Sequence, residues 1–196
     1  MPEIVLVRHA RSAHVERGWL DVHGVRRWMV AYDAADIVAH DPPPLTLVEL
    51  TKQSGAVVAS ELPRALASAA LLAPTVAVES SGLLREAPLE TGDRPFPSLG
   101  GISLPLRVWG TVFLVRWLWA WWRKLPLPGV DDAVLARAEE AADWLAALAA
   151  ERGRVVAVTH GTFRTILTVA LERRGWRGPD RRPFHTWSAW ILSRAD

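Results

Sequence analysis

No cysteine occurs in the 196 residues. Disulfides, thiolate catalysis and Cys-ligated zinc or iron–sulfur centres are therefore excluded, and a reducing compartment, with cytoplasm as the default, is expected. Neither sign of charge dominates, with 23 Lys and Arg against 21 Asp and Glu, nearly all of the bases being Arg. That balance gives no polybasic tail, and no nucleic-acid partner is expected. The densest basic cluster, Arg173, Arg174, Arg177, Arg181 and Arg182, has only Trp176 among it and reads as a solvated face, not a base-stacking surface. A strand-like run begins by Ile4, which leaves no room for the charged and apolar regions of a signal peptide. No repeat or interdomain linker appears, so residues 1–196 are expected to form one domain.

Long apolar runs are nearly absent as well. The one exception, Val108 to Trp122, is shorter than the roughly 20 residues of a membrane span and carries Arg116 in its middle. Five of the eleven tryptophans fall between Trp109 and Trp122. A helix apolar around most of its circumference is usually buried, so an insert or lid at about 105–128 is the preferred reading. The alternative is an interfacial membrane helix or a self-association contact, with Arg107, Arg123 and Lys124 flanking the tryptophans.

Short β-branched or apolar runs recur at Ile4–Val7, Ala56–Ala59, Thr75–Val78, Val155–Val158 and Ala189–Ser193. Continuous apolar character over so few residues marks strands buried on both faces. Helical signals lie between them. Trp28 to Ile37 reads as a short helix before Pro42-Pro43-Pro44, within an excursion over the active edge from Ala13 to Asp41. Thr46 with Glu49 resembles a capping box for a helix to about Ser54. Ser60 is a candidate N-cap for a helix with Pro63 in its first turn, reaching Leu72. Asp131 or Asp132 caps a helix carrying Val134, Leu135, Ala138, Ala141, Leu145 and Leu148, and Gly161 opens another. Ser80 to Leu104 reads as loop. The alternation predicts an α/β fold: a three-layer α/β/α sandwich whose central sheet is mostly parallel, with helices on both faces.

The stretch Val5 to Ser12, VLVRHARS, places Arg8 and His9 at the carboxyl end of the first strand, where open α/β sheets bind ligands. An arginine fork beside an imidazole suits a phosphoryl group. Three further pieces follow in order, each after a strand-like run: Ser60-Glu61-Leu62-Pro63-Arg64-Ala65, Leu84-Arg85-Glu86 and Thr159-His160-Gly161. Together they resemble the histidine phosphatase superfamily, also called phosphoglycerate mutase-like, over most of the chain. Ala10 replaces the usual Gly of the first motif, while Ser12 keeps its hydroxyl.

The resemblance implies that His9 is a nucleophile forming a phosphohistidine, and that Arg8, Arg64 and His160 bind the phosphoryl oxygens. Glu86 would be the general acid and then the base for water, with Glu90 and Glu79 as alternatives. No metal and no cofactor are implied. Positive neighbours would keep His9 neutral, and the helix after Gly161 would add backbone donors. Ser12 and His14 are second-layer candidates, and Arg11 could reach a remote anionic group. His185 would either border the crevice or pack beside Trp187.

A small phosphate ester, in one reading with an apolar portion under the Trp-rich helix, is the expected partner. Ala13–Asp41 and Thr91–Trp122 are the segments expected to select it. A mutase-like phosphotransferase is the rival within the family, disfavoured by Val15 and by Ala87-Pro88 after Glu86. His40-Asp41 matches the name-giving pair of a metal-dependent hydrolase class, but three prolines follow it at once. The remaining alternative is a noncatalytic or membrane-associated binding module.

Overall fold

A computed structural model describes residues 1–14, 18–88, 102–112, 115 and 130–194. Alternate residues of its central strands enter two separate cores. Ile4, Leu6, Val58, Val155, Ala157, Trp190 and Leu192 pack on one face, whereas Val5, Val7, Val57, Ala59, Val156 and Val158 pack on the other. Burial on both faces explains why these runs are continuously apolar.

The strands are β1 (Glu3–Arg8), β3 (Ala56–Ser60), β4 (Glu79–Ser81), β6 (Arg154–Thr159) and β7 (Ala189–Ser193), in the order β4-β3-β6-β1-β7. Only β7 runs antiparallel. Helices α4 (Asp132–Arg152) and α5 (Gly161–Arg173) cover the first face, and α2 (Leu45–Lys52) and α3 (Pro63–Leu72) cover the second. The result is the expected three-layer α/β sandwich. Its register matters for function, since Arg8 lies opposite Thr159 and Ala59 opposite Val158. The carboxyl ends of β1, β6 and β3 therefore stand side by side.

A smaller unit adjoins this sandwich. Strands β2 (Trp19–Leu20) and β5 (Leu104–Pro105) pair antiparallel, next to α1 (Val22–Asp33) and the helical residues 106–112. Val22, Val25 and Trp109 form its core, and the fully buried Trp109 donates from Nε1 to the Leu20 carbonyl at 2.7 Å. The first residues of the Trp-rich insert are thus docked on the early excursion. Residues 116–129, including Trp117, Trp119, Trp121 and Trp122, lie outside the described residues, as does Glu90. Among the described residues no helix is long and apolar enough to cross a membrane.

Several local expectations are corrected. The third strand is Glu79–Ser81, not Thr75–Val78, because the Val58–Ser60 register of β3 meets 79–81 at an exposed edge where apolar character is no guide. The first helix starts at Val22, since Asp21 accepts from the Gly24 N–H at 2.6 Å, and it ends at Asp33. Helix α2 begins after Pro44 without a side-chain cap, and Glu49 pairs with Lys52 at 2.7 Å instead of completing a capping box. Ser60 closes β3, and Leu62 is the N-cap of α3. The arginine cluster is not simply solvated: Arg173 and Arg174 pair with Glu139, Arg174 with Asp143, and Arg182 with Glu172. The expected cap at Asp131 holds, its carboxylate taking the Val134 N–H at 2.9 Å.

The turn into β3 is tight. A Cβ on Gly55 would lie 2.1 Å from the carbonyl oxygen of Arg152. Gly55→Ala is expected to lower unfolding free energy by about 1–3 kcal/mol, the usual cost of overpacking, as read from urea denaturation midpoints.

Candidate active site

The site grows from the three adjacent strand ends. His9 leaves β1 with its main-chain N–H bonded to the Thr159 carbonyl at 3.0 Å, and its side chain is 2% exposed. Ring Nδ1 lies 2.6 Å from the Ala10 carbonyl. A carbonyl can only accept, so Nδ1 carries the proton and Nε2 keeps a lone pair. Ala10 is itself pinned by its N–H to Ser68 Oγ at 2.9 Å.

Pro63 in the first turn of α3 sets Arg64 inside the site, fully buried. Its Nε donates to His9 Nε2 at 3.3 Å. The outer edge is held by the carboxyl end of α1: Nη1 donates to the carbonyls of Tyr32 at 2.8 Å and Asp33 at 3.4 Å, and Nη2 meets the Asp33 carboxylate at 3.0 Å. Helix carbonyl ends carry partial negative charge, which suits a guanidinium there. The Tyr32 ring covers the Arg64 guanidinium at 4.3 Å and stacks on Trp28 at 5.0 Å.

His160 follows β6, its ring 5.0 Å from that of His9. Its Nε2 lies 2.8 Å from Ser60 Oγ, while the buried Nδ1 has no partner among the described residues. Burial, then Arg64, Arg8 and Arg164, lowers the His9 pKa to about 3 against the opposing bond to Ala10. Burial, then His9, Arg64, Arg8 and Arg137, holds His160 well below its ordinary value. Both imidazoles are therefore neutral near pH 7.

Glu86 sits over the start of α5. It accepts from the N–H groups of Phe163 at 2.8 Å, Ala87 at 2.9 Å and Thr162 at 3.5 Å. The helix-end donors expected for a phosphoryl group are thus turned to Glu86. Burial raises its pKa, and those three donors and Arg64 oppose the rise. Arg85, its neighbour in sequence, pairs with Glu61 at 3.1 Å.

Arg8 bonds to the Phe184 carbonyl and lies over its ring at 4.9 Å. A Cβ on Gly161 would stand 2.9 Å from that ring and 3.3 Å from Arg8 Cζ, so glycine permits this close approach. The peripheral candidates lie further out. Ser12 is buried with its hydroxyl taking the His14 N–H at 3.2 Å, and the His14 ring packs on Trp28 at 5.7 Å. Arg11 is exposed, and its main-chain N–H goes to the Asp41 carboxylate at 2.6 Å, leaving that carboxylate in a structural bond. His40 and His185 are exposed, and Glu79 is exposed on the edge strand. Among the described residues no group of three His, Asp or Glu side chains is arranged to hold a metal.

No protein-family model matches the sequence. No curated protein matches it either. Solved structures do match in shape. A mycobacterial glucosyl-3-phosphoglycerate phosphatase complexed with VO3 aligns over 99% of this chain and 98% of its own at 17% identity, with a TM-score of 0.59. An open reading frame product of Mycobacterium tuberculosis covers 97% and 90% at 19% identity, with a TM-score of 0.53. A phosphoserine phosphatase mutant from Entamoeba histolytica, in complex with phosphoserine, covers 88% and 81% at 15% identity, with a TM-score of 0.51. The chain shares the fold of these proteins.

Within this fold the candidates Arg8, His9, Arg64, Glu86 and His160 come together, held by supports that the sequence did not reveal. Arg164, one turn into α5 and fully buried, bonds to the carbonyls of Ser188 at 2.7 Å and Pro183 at 3.1 Å and lies 3.8 Å over Trp190. It ties the segment carrying Phe184 to the sheet. Burial, then Arg8, lowers its pKa to about 9. Arg137 of α4 bonds to the carbonyls of Leu83, Arg85 and Glu86 and covers the Phe163 ring at 4.1 Å, fixing the Glu86 loop. A charge inside an apolar helical stripe, as at Arg164 between Phe163 and Leu167, was the available signal. Nothing in the sequence pairs Asp33 with Arg64.

Because the folded His9 titrates near 3 and the unfolded residue near 6.5, the unfolded chain binds the extra proton between those values. Stability is therefore whole above about pH 6.5 and falls as pH drops below it. Urea unfolding at pH 7 and pH 5 is expected to show a loss about 2 kcal/mol smaller in His9→Gln than in wild type. Equal losses would show that His9 is not held neutral by the fold.

Proposed function

We propose that this protein is a metal-independent phosphomonoester hydrolase working through a phosphohistidine at His9. The observation that carries the reading is the unprotonated His9 Nε2, turned to the buried Arg64 guanidinium and accompanied by a second neutral imidazole. The fold shared with solved phosphatases supports it.

In the first step the Nε2 lone pair forms a bond to phosphorus as the bond from phosphorus to the ester oxygen breaks. Arg64, Arg8 and the proton on His160 Nδ1 hold the nonbridging oxygens, where charge grows in the transition state. Ser60, donating to His160 Nε2, would fix the tautomer that leaves Nδ1–H free. Glu86 delivers its carboxyl proton to the departing alkoxide. The phosphate dianion then adds to the burial that already raises this carboxyl. In the second step Glu86, now a carboxylate, removes a proton from water whose oxygen attacks phosphorus. The bond to Nε2 breaks, and phosphate leaves.

Release of phosphate from 4-nitrophenyl phosphate with chelator present, and an acid-labile phosphoenzyme in quenched samples, are the expected results. His9→Ala should abolish both. Glu86→Gln should lower kcat/KM, which reports only the steps up to release of the alcohol, by about 100-fold or more for an alkyl phosphate while affecting the aryl ester less, because nitrophenolate needs no proton to leave. Equal effects on the two esters would remove Glu86 from the acid role. Transfer of the phosphoryl group to an added alcohol or acid in place of water would instead favour the mutase-like reaction.

A further inference from the structure

A cleft of about 750 Å3 opens where Glu86 and Thr162 meet α1 and the start of α4. In the reading above the ester oxygen leaves beside Glu86, so the group attached to that oxygen must enter this cleft. Its volume suits a small organic group. Its chemistry is lopsided. Trp28, Met29, Tyr32, Ala87, Pro88 and Val134 supply an apolar lining.

The charged residues around it offer little to a second anion. Among the described residues three carboxylates, Asp33, Glu61 and Asp131, and the protonated Glu86 stand beside two guanidiniums, Arg85 and Arg137. Arg137 is committed to three main-chain carbonyls and the Phe163 ring. Arg85 is paired with Glu61. A substrate carboxylate that displaced Glu61 would still face it and Asp33. A cation is no better served, because Asp33 is paired with Arg64, Glu61 with Arg85, and Asp131 takes the Val134 N–H, while the Tyr32 ring already carries Trp28 and Arg64 against it. Cation–π attraction needs an open ring face.

We infer that the substrates are phosphate monoesters whose alcohol carries an uncharged apolar or aromatic group, with Trp28 and Tyr32 of α1 as the specificity wall. This inference rests on the phosphatase reading. It differs from a carboxylate-bearing alcohol such as the serine of phosphoserine, the ligand of one protein that shares the fold.

The test compares kcat/KM for 2-phenylethyl, ethyl and 2-carboxyethyl phosphate, whose alkoxides share a two-carbon tether and need similar help from an acid. Burying a phenyl ring is worth about tenfold to a hundredfold in binding. The 2-phenylethyl ester should therefore exceed both others by about fivefold or more, and Trp28→Ala should bring that ratio towards one through KM. A ratio below about fivefold in the wild type, with 4-nitrophenyl phosphate still hydrolysed, would overturn the inference alone. A preference for the 2-carboxyethyl ester would do the same. No phosphate release from any ester, 4-nitrophenyl phosphate included, would overturn the phosphatase reading and this inference with it.

Discussion

Too little negative charge for the positive charge gathered at one sheet edge is the constraint on which the arrangement depends. Arg8, Arg64 and Arg164 converge with two imidazoles near a single raised carboxyl, Glu86. Unpaired buried charge is costly, so the fold compensates in small pieces. Arg164 is surrounded by carbonyl oxygens, Arg64 by the carboxyl end of α1 and Asp33, and Arg8 by the Phe184 carbonyl. The imidazoles respond by staying neutral. A bound phosphoryl dianion would supply the missing charge, which is why the arrangement suits that group better than a neutral ligand.

Topology makes this concentration unavoidable. With β6 between β1 and β3, three parallel strands end together, and the residue after each run enters the same space. The excursions then divide the work. Helix α1 closes the Arg64 side and walls the cleft, while the 183–188 segment closes the Arg8 side under the hold of Arg164. The docking of Trp109 against Val22 and Val25 joins the insert to the excursion that contains α1. In the proposed reading substrate selection and phosphoryl binding share one helix, since Tyr32 gives its carbonyl to Arg64 and lines the cleft.

The same fold is shared with proteins of differing substrates, so shape alone assigns no reaction to this chain. The proposed chemistry rests on where particular atoms lie: a lone pair on His9 Nε2, an unpartnered His160 Nδ1 and a carboxyl lifted by burial over a helix end. The early expectation of helix-end donors for phosphate gave way to this carboxyl because Glu86 reaches those N–H groups first. Likewise an apolar preference, expected from the Trp-rich helix, is better grounded in Trp28, Met29 and Tyr32.

Four of the five central strands were legible as short apolar runs, β1, β3 and β6 because strands buried on both faces leave a continuous local mark, and the edge strand β7 because Trp190 and Leu192 are buried while Ile191 stays apolar though exposed. Arg8, His9 and His160 were legible because each stands at the end of such a run, and Arg64 because Pro63 opens a helix three residues after one, so that strand position and motif agree. The edge strand Glu79–Ser81 was not legible, because its pairing comes from β3 and its own residues are exposed. The same reason hid the supports of the site. Asp33 reaches Arg64 across 31 positions and Arg137 reaches Glu86 across 51, contacts made by helices crossing strand ends and leaving no local periodicity. By itself the sequence determined the layered α/β architecture and the identity of the central basic residues, since both follow from nearest neighbours along the chain. Only the tertiary structure decided how their charges are offset, which atoms remain available and what lines the cleft, because those depend on groups brought together by the sheet order.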